Sequence, residues 1–125
     1  MIVGLGLDIE EIERVEQVLT RRGEAILRRL YTAREVAYCE SHKKKFERYA
    51  ARFAAKEAAM KALGTGWRRG VRWRDIEVVN APSGKPTLQL AGVARQIANA
   101  LRVRNISLTI THSGNLAVAE VIFED

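Results

Sequence analysis

A chain of 125 residues with a net charge of +6 suits a basic protein with a modest core, and we read residues 1–125 as a single domain. The absence of any run of about 18 apolar residues excludes a helical membrane span, and the opening "MIVGLGLDIEEIER" turns acidic at once, unlike a signal peptide. A lone cysteine, Cys39, excludes an internal disulfide and fits a reducing, cytoplasmic setting, and no His/Cys cluster stands at zinc spacing.

"IVGLGLD" (2–8) alternates, with Val3, Leu5 and Leu7 on one face and Ile2, Gly4, Gly6 and Asp8 on the other, which predicts a first strand. Two glycines beside Asp8 leave room for another group to come close. "EEIERVEQVL" predicts a helix with Ile12, Val15 and Leu19 as its apolar stripe and its acids at the N-terminal end, where the helix dipole favours them. Arg14, Val18 and Arg21 lie along a different face of it. "GEAILRRLYT" predicts a short helix, and "TAREVAYCESHKK" opens on a capping box of Thr32 and Glu35. A long helix is expected from about 47 to 63, closed by Gly64 as its C-terminal cap. Strands are expected over 71–80 and 86–90, joined by the turn "APSGK". "AGVARQIANAL" is helical, with Val93, Ile97 and Leu101 in line. "ISLTITH" and "NLAVAEVIF" form a hairpin around Ser113 and Gly114. The expected fold is α+β, in the order β-α-α-α-β-β-α-β-β, with a mostly antiparallel sheet against the long helix.

Charge is uneven. Residues 1–20 hold five acids and one arginine, whereas residues 21–74 hold sixteen Lys/Arg against five Glu. Such a block faces nucleic acid, a phosphate ligand or an acidic protein, or is simply a solvated surface.

In "RFAAKEAAMKALGTG" (52–66), Phe53, Glu57, Met60, Lys61 and Gly64 share one side of the helix. Glu57 and Lys61 either form an ordinary i,i+4 surface pair or place a metal-ligating carboxylate beside a phosphate-binding lysine. Asp8 is the candidate second carboxylate, although spacing alone does not bring it to Glu57. His112 shares strand parity with Ile106, Leu108 and Ile110, which points to burial, yet it stands at a strand end where ligands are met. "GTG" follows a helix instead of preceding one, so it is a cap and turn and not a phosphate loop. Cys39 reads as packing.

"GLGLDIEEIERV", "RFAAKEAAMKALGTG", "VRWRDIEVVNAPSGKPTLQL" and "SLTITHSGNLAVAEVIFE" together resemble, in order and spacing, the holo-(acyl carrier protein) synthase family, the small 4′-phosphopantetheinyl transferases. The resemblance spans nearly the whole chain. Tyr49-Ala50-Ala51 stands where the family usually has Leu-Ala-Gly, and Thr111-His112 where it has Ser-His; both departures leave the acidic pair intact.

The resemblance implies transfer of 4′-phosphopantetheine from coenzyme A to a serine of apo acyl carrier protein, in fatty acid biosynthesis, with release of adenosine 3′,5′-bisphosphate. It implies a Mg²⁺ site at Asp8 and Glu57; Lys61, one turn from Glu57, is placed to touch the diphosphate, and Glu57, directly or through a bound water, is the candidate acceptor of the serine proton. Coenzyme A contacts are implied at Arg52 (the 3′-phosphate), His112, and the turn residues Gly84, Lys85 and Pro86. It also implies a homotrimer with active sites shared between subunits. The carrier is an acidic helical protein, so Arg14, Val18 and Arg21 are its expected docking residues, extended by Arg22 and Arg28. The competing reading is a small nucleic-acid-binding domain using Trp67, Trp73 and their arginines, which gives Asp8 and Glu57 no purpose. The expectation is therefore an enzyme with neither a nucleic-acid nor a membrane partner.

Overall fold

The computed structural model describes residues 1–66 and 68–125; Trp67, one of the two tryptophans named above for base stacking, lies outside the described residues. In chain order the elements are β1 (Ile2–Glu11), α1 (Ile12–Arg22), α2 (Glu24–Leu30), α3 (Ala33–Glu40), α4 (Lys45–Leu63), a 3-10 turn (Trp73–Asp75), β2 (Ile76–Asn80), β3 (Pro86–Leu90), α5 (Gly92–Ala100), β4 (Asn105–Ser113) and β5 (Leu116–Glu124). The class is α+β, with antiparallel sheets β1-β5-β4 and β2-β3. Four helices separate β1 from β2 among the described residues, matching the four helical segments predicted along the chain and one more than the expected order of the whole fold. Gly23, at φ 69°, divides α1 from α2, and the Thr32–Glu35 capping box starts α3 as expected.

Boundaries moved for identifiable reasons. β1 runs on past Asp8, because Ile9, Glu10 and Glu11 pair with Val118, Ala117 and Leu116 of β5. Helix α1 therefore starts at Ile12, and Glu10 sits on a strand face instead of at a helix dipole. The Ile12 and Glu13 amides donate to the carbonyl (2.8 Å) and side-chain oxygen (2.9 Å) of Asn115, so the β4–β5 loop caps α1. That hairpin turns at Gly114-Asn115, since Ser113 still pairs with Leu116. The strand expected over 71–80 begins only at Ile76. Ahead of it, the buried Asp75 accepts from the Arg72 amide (3.3 Å) and guanidinium (3.2 Å), coiling residues 73–75 into the 3-10 turn.

Helix α4 is the axis of the molecule. Ala54, Ala55, Ala58 and Ala59 are wholly buried against the inner faces of both sheets, and α4 is buried on most of its sides, Arg52 and Lys56 included. Its alanines let it lie close to β1, and β1 answers with glycines. A Cβ at Gly4 or Gly6 would overlap the carbonyl oxygens of Ala62 and Ala58 respectively. Gly64 closes α4 in the left-handed conformation, φ 79° and ψ 13°.

A buried ion pair ties α3, α4 and β2 together. Lys56 Nζ lies 2.7 Å from Glu35 Oε1 with both side chains fully buried, and it donates to the carbonyls of Trp73 and Ile76. Glu35 also accepts from the Thr32 amide and, through Oε2, from the Val78 amide, both at 2.9 Å. Burial lowers the lysine's pKa, against the opposing pull of Glu35. Cys39 is buried, and burial pushes its thiol up to about 12, in keeping with packing.

The outer face of the β1 edge is the opposite case. Leu5 (57% exposed), Leu7 (50%) and Ile9 (56%) point away from α4 as one apolar row.

Candidate active site

The glycine contact decides where the acidic residues lie. By seating β1 on α4, it brings Asp8 alongside the last turns of that helix. Lys61 then reaches across the interface instead of along its own helix. Its Nζ donates to Asp8 Oδ1 at 3.1 Å and to the Leu7 carbonyl at 2.9 Å. The i,i+4 pair with Glu57 that spacing allows does not form among the described salt bridges. Half of the Lys61 side chain stays exposed, whereas that of Asp8 is 11% exposed, so the lysine also faces solvent.

Asp8 Oδ2 is buried and has no hydrogen-bond partner. Glu57 is half-buried; burial raises its pKa, and the charge of Asp8 raises it further, with Lys61 opposing. A carboxylate whose charge its neighbour disfavours, beside a second one with an unpaired buried oxygen, forms a donor set suited to a cation. A small hard cation taking one or two carboxylates and completing its shell with phosphate oxygens fits this pair. No group of three or more His, Cys, Asp or Glu side chains gathers at metal-binding distance among the described residues.

Glu10 is the residue that sequence reasoning missed. It follows Asp8 by two positions on the same strand face. Burial, then the closeness of the Asp8 carboxylate, push its carboxyl up to about 8. It lines a cleft between α1 and α4 together with Arg14, Val18, Phe53 and Glu57. Of the three docking candidates, then, Arg14 and Val18 open onto the cleft that holds Glu57, while Arg21 is exposed further along α1.

A second cluster forms on the β4 side of the sheet. Arg52, Gly84, Pro86 and His112 line one pocket, joined by Arg48 and Asn80, which the sequence did not single out. Arg52 is not loose surface charge. It is 4% exposed, its guanidinium stacks 3.9 Å from the Tyr38 ring centroid, and it donates to Asn80 Oδ1 at 2.7 Å. Asn80 in turn donates to the Gly84 carbonyl at 2.9 Å, so arginine and turn are fixed to each other. The Nε atoms of Arg48 and Arg52 are buried without acceptors. Two such donors in one pocket suit phosphate oxygens. Lys85 is exposed outside this lining. His112 departs from its strand parity: its side chain is 51% exposed, and its Nε2 lies 3.2 Å from Glu47 Oε1. The inner face of β4 is covered near Leu108 and open at its end.

The two clusters lie on either side of α4. Glu10 and His112 are matched across Ala117 of β5, two strand spacings or about 10 Å apart in backbone terms. Helix α4 lies over the strands between them. As for Trp73, its ring stacks on Phe53, with centroids 5.0 Å apart, instead of standing free to stack on a base.

The sequence pattern of the 4′-phosphopantetheinyl transferase superfamily matches residues 4–119. A holo-[acyl-carrier-protein] synthase of Solibacter usitatus is 56% identical over 125 residues, 100% of both chains. That of Koribacter versatilis is 50% identical over the same span and coverage. Among solved structures, the synthase of Neisseria meningitidis superimposes with a TM-score of 0.91 at 30% identity, covering 100% of both chains. The Helicobacter pylori synthase, in complex with coenzyme A, gives 0.85 at 28% identity, covering 96% of this chain and 99% of that one.

Proposed function

The chain belongs to the holo-[acyl-carrier-protein] synthases of the 4′-phosphopantetheinyl transferase superfamily, and from that membership we propose how its residues divide the reaction. The 4′-phosphopantetheine arm of coenzyme A passes to a serine hydroxyl of apo acyl carrier protein, which serves fatty acid biosynthesis, and adenosine 3′,5′-bisphosphate leaves. The serine oxygen forms a bond to the pantetheine-side phosphorus as the bond to the bridging diphosphate oxygen breaks. The protein's task is to neutralise the phosphoryl oxygens and hold the partners in line.

Asp8 and Glu57 hold Mg²⁺, which when bound supplies positive charge to the diphosphate oxygens. Lys61, paired to Asp8 at 3.1 Å and half exposed, offers its remaining donors to the same diphosphate. Glu57 takes the serine proton, directly or through a water, because it opens onto the cleft lined by the docking residues Arg14 and Val18. Arg52 holds the 3′-phosphate, pre-oriented by Tyr38 and Asn80, and the buried Nε of Arg48 adds a donor. His112 and the turn Gly84-Lys85-Pro86 complete the coenzyme contacts, Lys85 from the rim. Arg14, Val18 and Arg21 receive the acidic carrier.

One coenzyme must touch both clusters, and α4 stands between them in a single chain. A trimer, as the family resemblance implies, in which the β1 edge of one subunit faces the β4 edge of the next would bring the two clusters together, and the exposed Leu5, Leu7 and Ile9 row is the surface that association would cover. We place the enzyme in the cytoplasm, in keeping with a buried free cysteine. No helix among the described residues is long and apolar enough to cross a membrane.

The observation that carries the metal assignment is the unpaired buried Asp8 Oδ2 beside Glu57. Mass spectrometry of apo carrier protein incubated with this protein, coenzyme A and Mg²⁺ tests it. The carrier gains one phosphopantetheine; EDTA, Asp8→Ala or Glu57→Ala abolishes most of the gain while circular dichroism stays native. Full transfer in EDTA would remove the metal from the reading.

A further inference from the structure

A cleft of ≈ 880 Å³ opens between α2 and the 3-10 turn, with no lining residue in either cluster. Arg28 and Arg29 line it from α2, Arg72 and Arg74 from the other wall, and Trp73 and Thr32 lie between them. Two of the four arginines are already engaged: Arg72 with Asp75 at 3.2 Å and Arg28 with Glu24 at 3.7 Å. Arg29 and Arg74 pair with no carboxylate of the described residues. Thr32 gives its hydroxyl to Glu77 at 2.6 Å and is not a free donor. What remains is a broad trough with two unpaired forks on opposite walls. That shape does not enclose a small anion, but it suits carboxylates carried on a folded acidic surface.

The trough neighbours the cleft at Glu57 across a pair of stacked rings. Phe53 lines the Glu57 cleft and Trp73 lines the trough, and their rings stack 5.0 Å apart. Helix α2 likewise serves both: Leu30 lines the first and Arg28 and Arg29 the second. A folded domain of about 80 residues has a radius of gyration of about 12 Å, enough to overlie both at once. We propose that this arginine-lined trough is a second contact surface for the acidic carrier protein, gripping its carboxylates through Arg29 and Arg74 while its serine stands at Glu57. The proposal rests on the transferase reading and extends the docking surface from α1 around the Phe53–Trp73 stack.

The test is the double variant Arg29→Glu/Arg74→Glu, with carrier protein and coenzyme A varied in turn. Charge reversal at two exposed pairs should raise the carrier KM about three- to tenfold, with kcat and the KM for coenzyme A unchanged. The neutral double variant, Arg29→Gln/Arg74→Gln, gives a smaller rise in the same direction and guards against misfolding, which thermal melting checks. The carrier KM of the wild type climbs more steeply with salt than that of either variant. A carrier KM unchanged in both variants, with native melting, overturns the proposal. So does a trough that binds random RNA at physiological salt and loses it in the variants while carrier KM holds. If the wild type transfers nothing to any carrier, it is the transferase reading that has failed, a distinct result.

Discussion

Lys61 illustrates how far local spacing reaches. Four residues from Glu57, it reads as that residue's partner, yet it pairs with Asp8, a residue 53 positions away. The contact exists because β1 and α4 meet at glycine and alanine, which a helical wheel does not register. Lys61→Ala should therefore lower transfer and free Asp8 of its cation, while thermal stability moves by only about 0.5 kcal/mol, as for an exposed pair. A large stability loss with normal kinetics would make Lys61 structural. Glu10 was hidden for a related reason: its strand continues past the end of "IVGLGLD" through Ile9, Glu10 and Glu11. It and Glu57 have carboxyls raised in the folded state, Glu10 from 4.5 to about 8. A raised carboxyl contributes stability that is complete below its unfolded pKa and is lost as pH rises through its folded one. In EDTA the melting temperature should thus decline between about pH 4.5 and about pH 8. Glu10→Gln should reduce that decline, and Mg²⁺ should oppose it, since a bound cation favours the ionised carboxylates. Melting curves flat across this range in EDTA, for wild type and variant alike, would contradict the charge crowding described here.

At the scale of elements, the signals that survived folding were those with local physical causes. The capping box at Thr32 and Glu35, the left-handed Gly64 and the β4–β5 hairpin are all decided by a few neighbouring residues. Of those that shifted, the start of α1 was decided at long range, by Asn115 from 102 residues away, whereas Asp75 coils residues that alternate like a strand through a contact with Arg72 only three positions back, which the alternation conceals. The site divides the same way. Asp8, Glu57, Arg52 and His112 stood out in the sequence, but Asn80 reaches Arg52 only because β2 meets α4, and Tyr38 only because α3 does, while Arg48 stands one turn before Arg52 on α4 itself. Lys56 is the plainest case, a lysine in an alanine-rich helix that spacing would leave on a surface and that is fully buried against Glu35. Removing one partner leaves a buried charge, so Glu35→Ala should cost about 3–5 kcal/mol in denaturant unfolding. The closest approach of elements is at Gly6. Gly6→Ala puts a methyl group into the Ala58 carbonyl, forcing β1 from α4 and Asp8 from Lys61. We expect a loss of about 1–3 kcal/mol together with a fall in transfer and in Mn²⁺ affinity. Substitution at the exposed Leu5, the residue between the two glycines, should leave metal affinity intact and so separates helix contact from general destabilisation.

The whole molecule presents two half-sites on opposite sides of α4 and an apolar row on the outer face of β1, and a threefold arrangement would use all three features. In such a trimer each active site takes Asp8 and Glu57 from one subunit and Arg52 and His112 from the next. Asp8→Ala and Arg52→Ala subunits would each be nearly inactive alone. Mixed by denaturation and refolding in equal amounts, they would form heterotrimers in which the metal site of an Arg52→Ala subunit abuts the coenzyme site of an Asp8→Ala subunit. Random closed assembly makes about three-quarters of the trimers mixed, and each mixed trimer holds one intact site in three, so roughly a quarter of wild-type activity should return. The recovered activity should follow the product of the two subunit fractions and vanish when either is absent. A control with Asp8→Ala and Glu57→Ala subunits, whose lesions fall in the same half-site, should recover nothing. If the first mixture also stays silent while light scattering reports trimers, each chain completes its own site, and the coenzyme must reach around α4 within one subunit.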